Sequence, residues 1–170
     1  MGVLWVKNKI MTNLSNTQRV ELFDISDDAL KLVGELTLLF SQVEWLIANV
    51  LLLSKISASD YSRTKDLPVV QEHFETLLSL GFGKKIERLS KEGFDVSGLK
   101  SVGVYRNTLA HGLIFRDGDS FIVKKITEPQ KKGVALHVEE LTKNIETLKV
   151  EGGKLLTFLK DKGYKYYEPK

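Results

Sequence analysis

From Ser26 to Ile56 the apolar residues Leu30, Val33, Leu36, Phe40, Val43, Ile47, Val50 and Leu53 recur at steps of three and four, the period of one helix face. The spacing predicts a helix of roughly thirty residues, about 45 Å long at 1.5 Å per residue. Ser26 suits its N-cap, and Asp27 and Asp28 suit the positively polarised first turn. Leu38, Trp45, Leu51 and Leu52 carry apolar character around most of the circumference. Such a helix belongs at the centre of a bundle or in a subunit contact.

Further helices follow. One is expected from Asp66 and Pro68 to near Gly81, with Val69, Val70, Phe74, Leu77 and Leu78 as its buried stripe. Another covers Lys84–Glu92 and is closed by Gly93. A fourth starts near Asp95, carries Leu99, Val102, Tyr105, Leu109 and Ala110, and stops at Gly112, which suits a left-handed position after the helix. There the period changes: Leu113–Phe115 and Phe121–Ile126 flank Asp117-Gly118, a strong hairpin signal. A last helix is expected over Val138–Lys160 with Leu141, Ile145, Leu148, Leu155, Leu156 and Leu159 inward. Gly152-Gly153 should bend or interrupt it. The predicted fold class is all-α, one domain over residues 1–170, a helical bundle with a small β-hairpin inserted after the fourth helix. Residues 1–14 and 164–170 are expected to be flexible ends.

Composition narrows the chemistry. With 42% hydrophobic and 28% charged residues, the chain is neither a disordered tail nor a fibre. The absence of cysteine excludes disulfides, thiolate catalysis and Cys-type zinc sites. His73, His111 and His137 are the available imidazoles. No eighteen-residue run is uninterruptedly apolar, and the opening MGVLWVKNKIMTNL is broken at Lys7 and Lys9. A membrane span or secretory signal is therefore not expected, and the cytoplasm is the expected compartment. The net charge of +3 is compatible with a polyanionic partner without requiring one. Lys124, Lys125, Lys131 and Lys132 cluster late, and the tail KDKGYKYYEPK mixes lysine with tyrosine. That tail reads as a backbone-and-stacking contact for RNA or as a solvated terminus.

Several tempting patterns fail. Gly81-Phe82-Gly83-Lys84 lacks the spacing and the preceding strand of a phosphate-binding loop and reads as a turn between helices. Asp117-Gly118-Asp119 lacks the further ligands of a calcium loop. His73 and His137 read as surface imidazoles, and no metal site or cofactor is expected. No helix carries the exposed polar run of a major-groove reader.

The segment Tyr105-Arg106-Asn107-Thr108-Leu109-Ala110-His111-Gly112 is different. On a helix Asn107 and His111 lie four apart on one face, so the amide can orient the imidazole. Arg106 adds a guanidinium able to grip phosphate with two donors, beside a group that transfers protons near neutral pH. Tyr105 fits either a base-stacking role or the core. Glu44, midway along an apolar helix, would be costly without a partner and is expected to pair with Arg106 and position it, or to share a narrow polar strip with Ser41 and Asn49.

Arg106, Asn107 and His111 together resemble the signature of the HEPN superfamily: arginine, a polar residue that is often asparagine, three further residues, then histidine. Chance gives this triplet about 0.003 times in a chain of this composition. The place of the signature, near the end of a late helix, is similar too, as are Glu44-Trp45 in the long helix and Phe82-Gly83-Lys84-Lys85 at the entry to a helix. The resemblance spans about Asp24 to Lys160, with only the short motif specific. It implies a HEPN-like bundle and a metal-independent endoribonuclease, often a toxin or antiphage effector, that binds RNA and works as a homodimer. Arg106, Asn107 and His111 would be catalytic, with Tyr105 and Glu44 in support. The alternative it leaves open is a non-catalytic dimerisation or partner-binding module, for example one paired with a nucleotidyltransferase antitoxin.

Overall fold

The computed structural model describes residues 27–117, 120–125, 134–135 and 137–163. The protein is mostly helical. Helix α1 spans Asp27–Leu53, α2 Ala58–Thr64, α3 Pro68–Ser79, α4 Phe82–Lys91, α5 Ser97–His111 and α6 Val138–Asp161. Strands β1 (Gly112–Asp117), β2 (Ser120–Lys125) and β3 (Val134–Ala135) lie between α5 and α6. The tails 1–14 and 164–170, the Ser26 cap, Gly118 and the lysines at 131 and 132 fall outside the described residues.

Helix α1 is the hub. It packs most extensively on α6 and also against α3 and α4, while α5 packs on α6, α4 and the sheet. Its two halves differ. From Leu46 to Leu53 every residue is buried, whereas in the first half Leu36, Phe40 and Val43 face inward and Leu30 and Leu38 are exposed. Leu38, apolar on the opposite side from Leu36, Phe40 and Val43, is 67% exposed, so the first half of α1 is covered within the chain on one side only. By length and hydropathy α1 passes the criterion for crossing a membrane, yet 56% of that window is buried within the protein, as in the core helix of a bundle.

The remaining helices follow their stripes with local corrections. In α3, Pro68 sits at the start, Leu77 is buried and Val70 and Phe74 are half-buried. Val69 and Leu78, one position out of phase, are exposed rather than buried. Helix α4 begins two residues earlier than expected, with Gly81 as its N-cap. Its end is a Schellman arrangement: Gly93 has φ +88°, its N–H donates to the Ser90 carbonyl (3.0 Å), and the Phe94 N–H donates to the Leu89 carbonyl (3.3 Å). Helix α2 was not expected. Ser57 caps it by accepting from the Asp60 N–H at 3.1 Å, a polar signal with no apolar stripe behind it.

Two glycine expectations are overturned. Gly112 is no left-handed cap but the first residue of β1, paired with Lys125. Gly152 and Gly153 do not interrupt α6, which is continuous to Asp161. A Cβ on Gly152 would lie 3.4 Å from Val43 Cγ2, so the missing side chain lets α6 approach α1, and tertiary packing outweighs low helix propensity. Strands β1 and β2 form an antiparallel ladder from Gly112↔Lys125 to Asp117↔Ser120, and β3, which was not expected, adds Val123↔Val134. Val123 is buried under this sheet.

Candidate active site

Glu44, Lys85 and Arg106 come from three helices and meet at one carboxylate. Lys85 Nζ lies 2.5 Å from Glu44 Oε2. Arg106 donates through both Nε (3.1 Å) and Nη2 (3.0 Å) to Glu44 Oε1. The side chains are 2%, 16% and 26% exposed for Lys85, Glu44 and Arg106 respectively. Each oxygen of the carboxylate thus serves a different cation, and the cluster carries one positive charge in excess.

Local sequence explains the convergence. Lys85 occupies the buried stripe of α4 with Phe82, Ile86 and Leu89, and Phe82 packs edge-on against Phe40 of α1, their ring centroids 5.6 Å apart. That contact fixes α4 on α1 one turn from Glu44. On α5, Gly103 lets the helix approach: a Cβ there would lie 3.4 Å from the Phe82 ring. Arg106, three residues on, is carried over Glu44. The pairing of Glu44 with Arg106 is present; the polar strip is not. Asn49 is buried and donates its amide to the Trp45 carbonyl (2.8 Å), while Ser41 is exposed with its hydroxyl on the Thr37 carbonyl (3.2 Å).

Tyr105, Arg106 and Asn107 point three ways, as successive helical residues about 100° apart must. Arg106 lines a cavity of about 270 Å³ between α1, α5 and β2, with Thr37, Ser41, Glu44 and Leu109. Asn107 is exposed at a groove of about 420 Å³ between α4 and α5, lined also by Ile86, Lys91, Lys100 and Val104. Tyr105 turns to α6 and is 5% exposed. Burial first, then the charge of Glu140 and a hydrogen bond with it, push its phenol well above the usual range. A buried ring has no face for a base, so Tyr105 belongs to the core rather than to a stacking platform. The backbone of α5 runs through His111, one turn beyond Asn107; the His111 side chain, and with it the Asn107–His111 contact, lies outside the described residues. Among the described residues no group of three or more His, Asp or Glu is placed to hold a metal ion.

Sequence reasoning missed Lys85. The signal was there: a lysine in phase with Phe82, Ile86 and Leu89 on one helix, and a glutamate inside the apolar α1. Two opposite charges forced off water are each other's natural partners. No family model, curated protein or solved structure matches the chain.

Proposed function

We propose that this chain is a metal-independent endoribonuclease of the HEPN type, acting in the cytoplasm as a homodimer whose two α5 ends form a composite site. The observation that carries the reading is Arg106 held by Glu44 through two donors, on the same terminal turns of α5 as Asn107 and His111. Val104, 65% exposed, shares the face of α5 that carries positions 107 and 111. An exposed apolar side chain there supports a contact between copies along this helix.

The chemistry uses groups of this chain. His111 as general base takes the proton of a ribose 2′-hydroxyl. The 2′-oxygen bonds to the adjacent phosphorus while the bond to the 5′-oxygen breaks. A second imidazole, supplied by the partner copy, returns a proton to the leaving 5′-oxygen, giving a 2′,3′-cyclic phosphate and a 5′-hydroxyl. Arg106 stabilises the added charge on the pentacoordinate phosphorus, and Asn107 orients His111 or holds a phosphate oxygen. One imidazole per chain serves poorly as both acid and base, which a two-fold axis remedies. RNA is the substrate, a toxin or antiphage effector is the biological class, an antitoxin protein is a further partner, and no membrane is involved.

The test is cleavage of single-stranded RNA in EDTA. Wild type should cut, leaving cyclic-phosphate ends, and His111→Ala should lose about 10²–10⁴-fold in rate while keeping the helical circular dichroism. Uncut RNA, or equal cutting by the variant, removes the catalytic assignment.

A further inference from the structure

Lys85 touches none of the groups that this reaction uses, and it is the most deeply buried charge of the cluster. Its position asks for a reason, because an ion pair taken out of water rarely adds stability over apolar side chains of similar volume. The arrangement of donors supplies one. Glu44 grips Arg106 through Oε1 alone, and Lys85 occupies Oε2. Arg106 therefore gives Nε and Nη2 to the carboxylate, and among the described residues Nη1 makes no hydrogen bond. Without Lys85 the Glu44–Arg106 pair would be neutral overall, and a phosphate would meet the repulsion of Glu44 together with the attraction of Arg106. With Lys85 the carboxylate is already balanced, and Arg106 contributes its full charge.

We infer that Lys85 is a positioning residue that keeps Arg106 available to an anion: it neutralises Glu44, so that the carboxylate orients the guanidinium without cancelling it. The anion would enter the cavity that Arg106 lines with Thr37 and Ser41. Its chemistry is that of a phosphate oxyanion. The inference rests on the reading of Arg106 as the phosphate-binding group, and it makes a charge-specific claim that mere support of the fold does not.

The test measures binding of inorganic phosphate by NMR titration at low ionic strength, where the field of a buried charge is least screened. Five proteins are compared: wild type, Arg106→Gln, Lys85→Met, Glu44→Gln, and the double variant Glu44→Gln/Lys85→Met. Wild type binds. Arg106→Gln loses the binding. Lys85→Met weakens it about tenfold, the order expected for one unit charge at this range in a partly shielded site. The double variant recovers most of that loss, since a neutral amide beside Arg106 needs no balancing lysine. Glu44→Gln alone binds more tightly than wild type. The inference fails if wild type does not bind phosphate, if folded Lys85→Met binds as wild type does, or if the folded double variant is no better than Lys85→Met. Should Lys85→Met not fold, Glu44→Gln decides, and weaker binding than wild type overturns the claim. RNA cleavage by the same proteins keeps the two readings apart: the phosphate pattern without cleavage sinks the ribonuclease and spares Lys85, and cleavage without the pattern does the reverse.

Discussion

Glu44 and Glu151 are the two least exposed glutamates among the described residues, and they are held differently. Glu44 is held by two cations far away in sequence, on α4 and α5. Glu151, its side chain 8% exposed, is held by Lys154 one turn along the same helix at 2.7 Å, and Lys154 itself is 54% exposed. Glu151 lies against Gly98 in the first turn of α5, where the helix dipole favours an anion. Asp95 accepts from the Ser97 N–H at the same end (3.0 Å), and that bond holds its carboxyl below the usual range. One end of α5 thus has two carboxylates beside its first turn, Asp95 accepting from the Ser97 N–H and Glu151 against Gly98, and the other end presents a cation. The two carboxylates hold the same helix, Glu151 at its start and Glu44 through Arg106 near its end.

The largest effect should separate them by what each removal leaves behind. Glu44→Ala strands Lys85 in the core with no partner, and a buried charge without compensation costs roughly 3–5 kcal/mol. Glu151→Ala leaves Lys154 in solvent, so the loss should be about 1–2 kcal/mol, the range of a lost partly buried contact. Urea denaturation of the two variants gives both numbers. Equal losses would mean that the Glu44 cluster is an ordinary surface-like pair. A converse follows from the same physics: Glu44→Met/Lys85→Met should be about as stable as wild type, and its failure to cut RNA would then report lost function rather than lost fold.

A smaller effect sharpens the structural half of the comparison. A Cβ on Gly98 would lie 2.6 Å from Glu151 Oε1 and 2.9 Å from its Cγ, closer than real contacts allow. Gly98→Ala should therefore destabilise the protein by about 1–2 kcal/mol, in the range of overpacking, in spite of alanine's better helix propensity. Glu151→Ala should relieve it, so the double variant is no less stable than Glu151→Ala alone. A double-mutant cycle of denaturation midpoints reads the coupling. Additive losses would show that α5 and α6 meet less closely than this.

How much of this was legible beforehand depends on distance along the chain. The stripes of α1, α3 and α6 are local periodicities, and sequence alone placed them to within a few residues. The Arg106–Glu44 pair was within reach because a carboxylate inside α1 demanded a cation. Lys85 escaped because a lysine near the start of a helix expected over Lys84–Glu92 reads as solvated, and only the packing of that helix against Glu44 of α1 shows that its charge is buried. Gly152-Gly153 misled for the opposite reason: propensity is local, whereas the need for a thin surface beside Val43 is set by another helix. Leu38 is apolar and exposed; sequence alone does not separate the bundle centre from a subunit contact, and single exposed leucines are also ordinary on protein surfaces.

The smallest effect concerns Tyr105, which lies between the two ends of α5. Its ring is core, so Tyr105→Phe, which keeps the ring, should leave RNA cleavage unchanged. At neutral pH the variant gives up only the hydrogen bond with Glu140, about 1 kcal/mol or less. The alkaline side is more informative. Burial and Glu140 raise the phenol in the folded state, while the unfolded chain ionises near pH 10. Below that pH both states hold the proton and the contribution of the phenol is fully present. Above it the unfolded state releases a proton that the folded state keeps, so wild type loses stability as pH rises. Phenylalanine has no such limb. Denaturation midpoints from pH 8 to about pH 11 should therefore show the gap between wild type and Tyr105→Phe closing and then reversing. A gap that stays constant would mean that the phenol is solvated, and with it that the middle of α5 is open enough to receive a base.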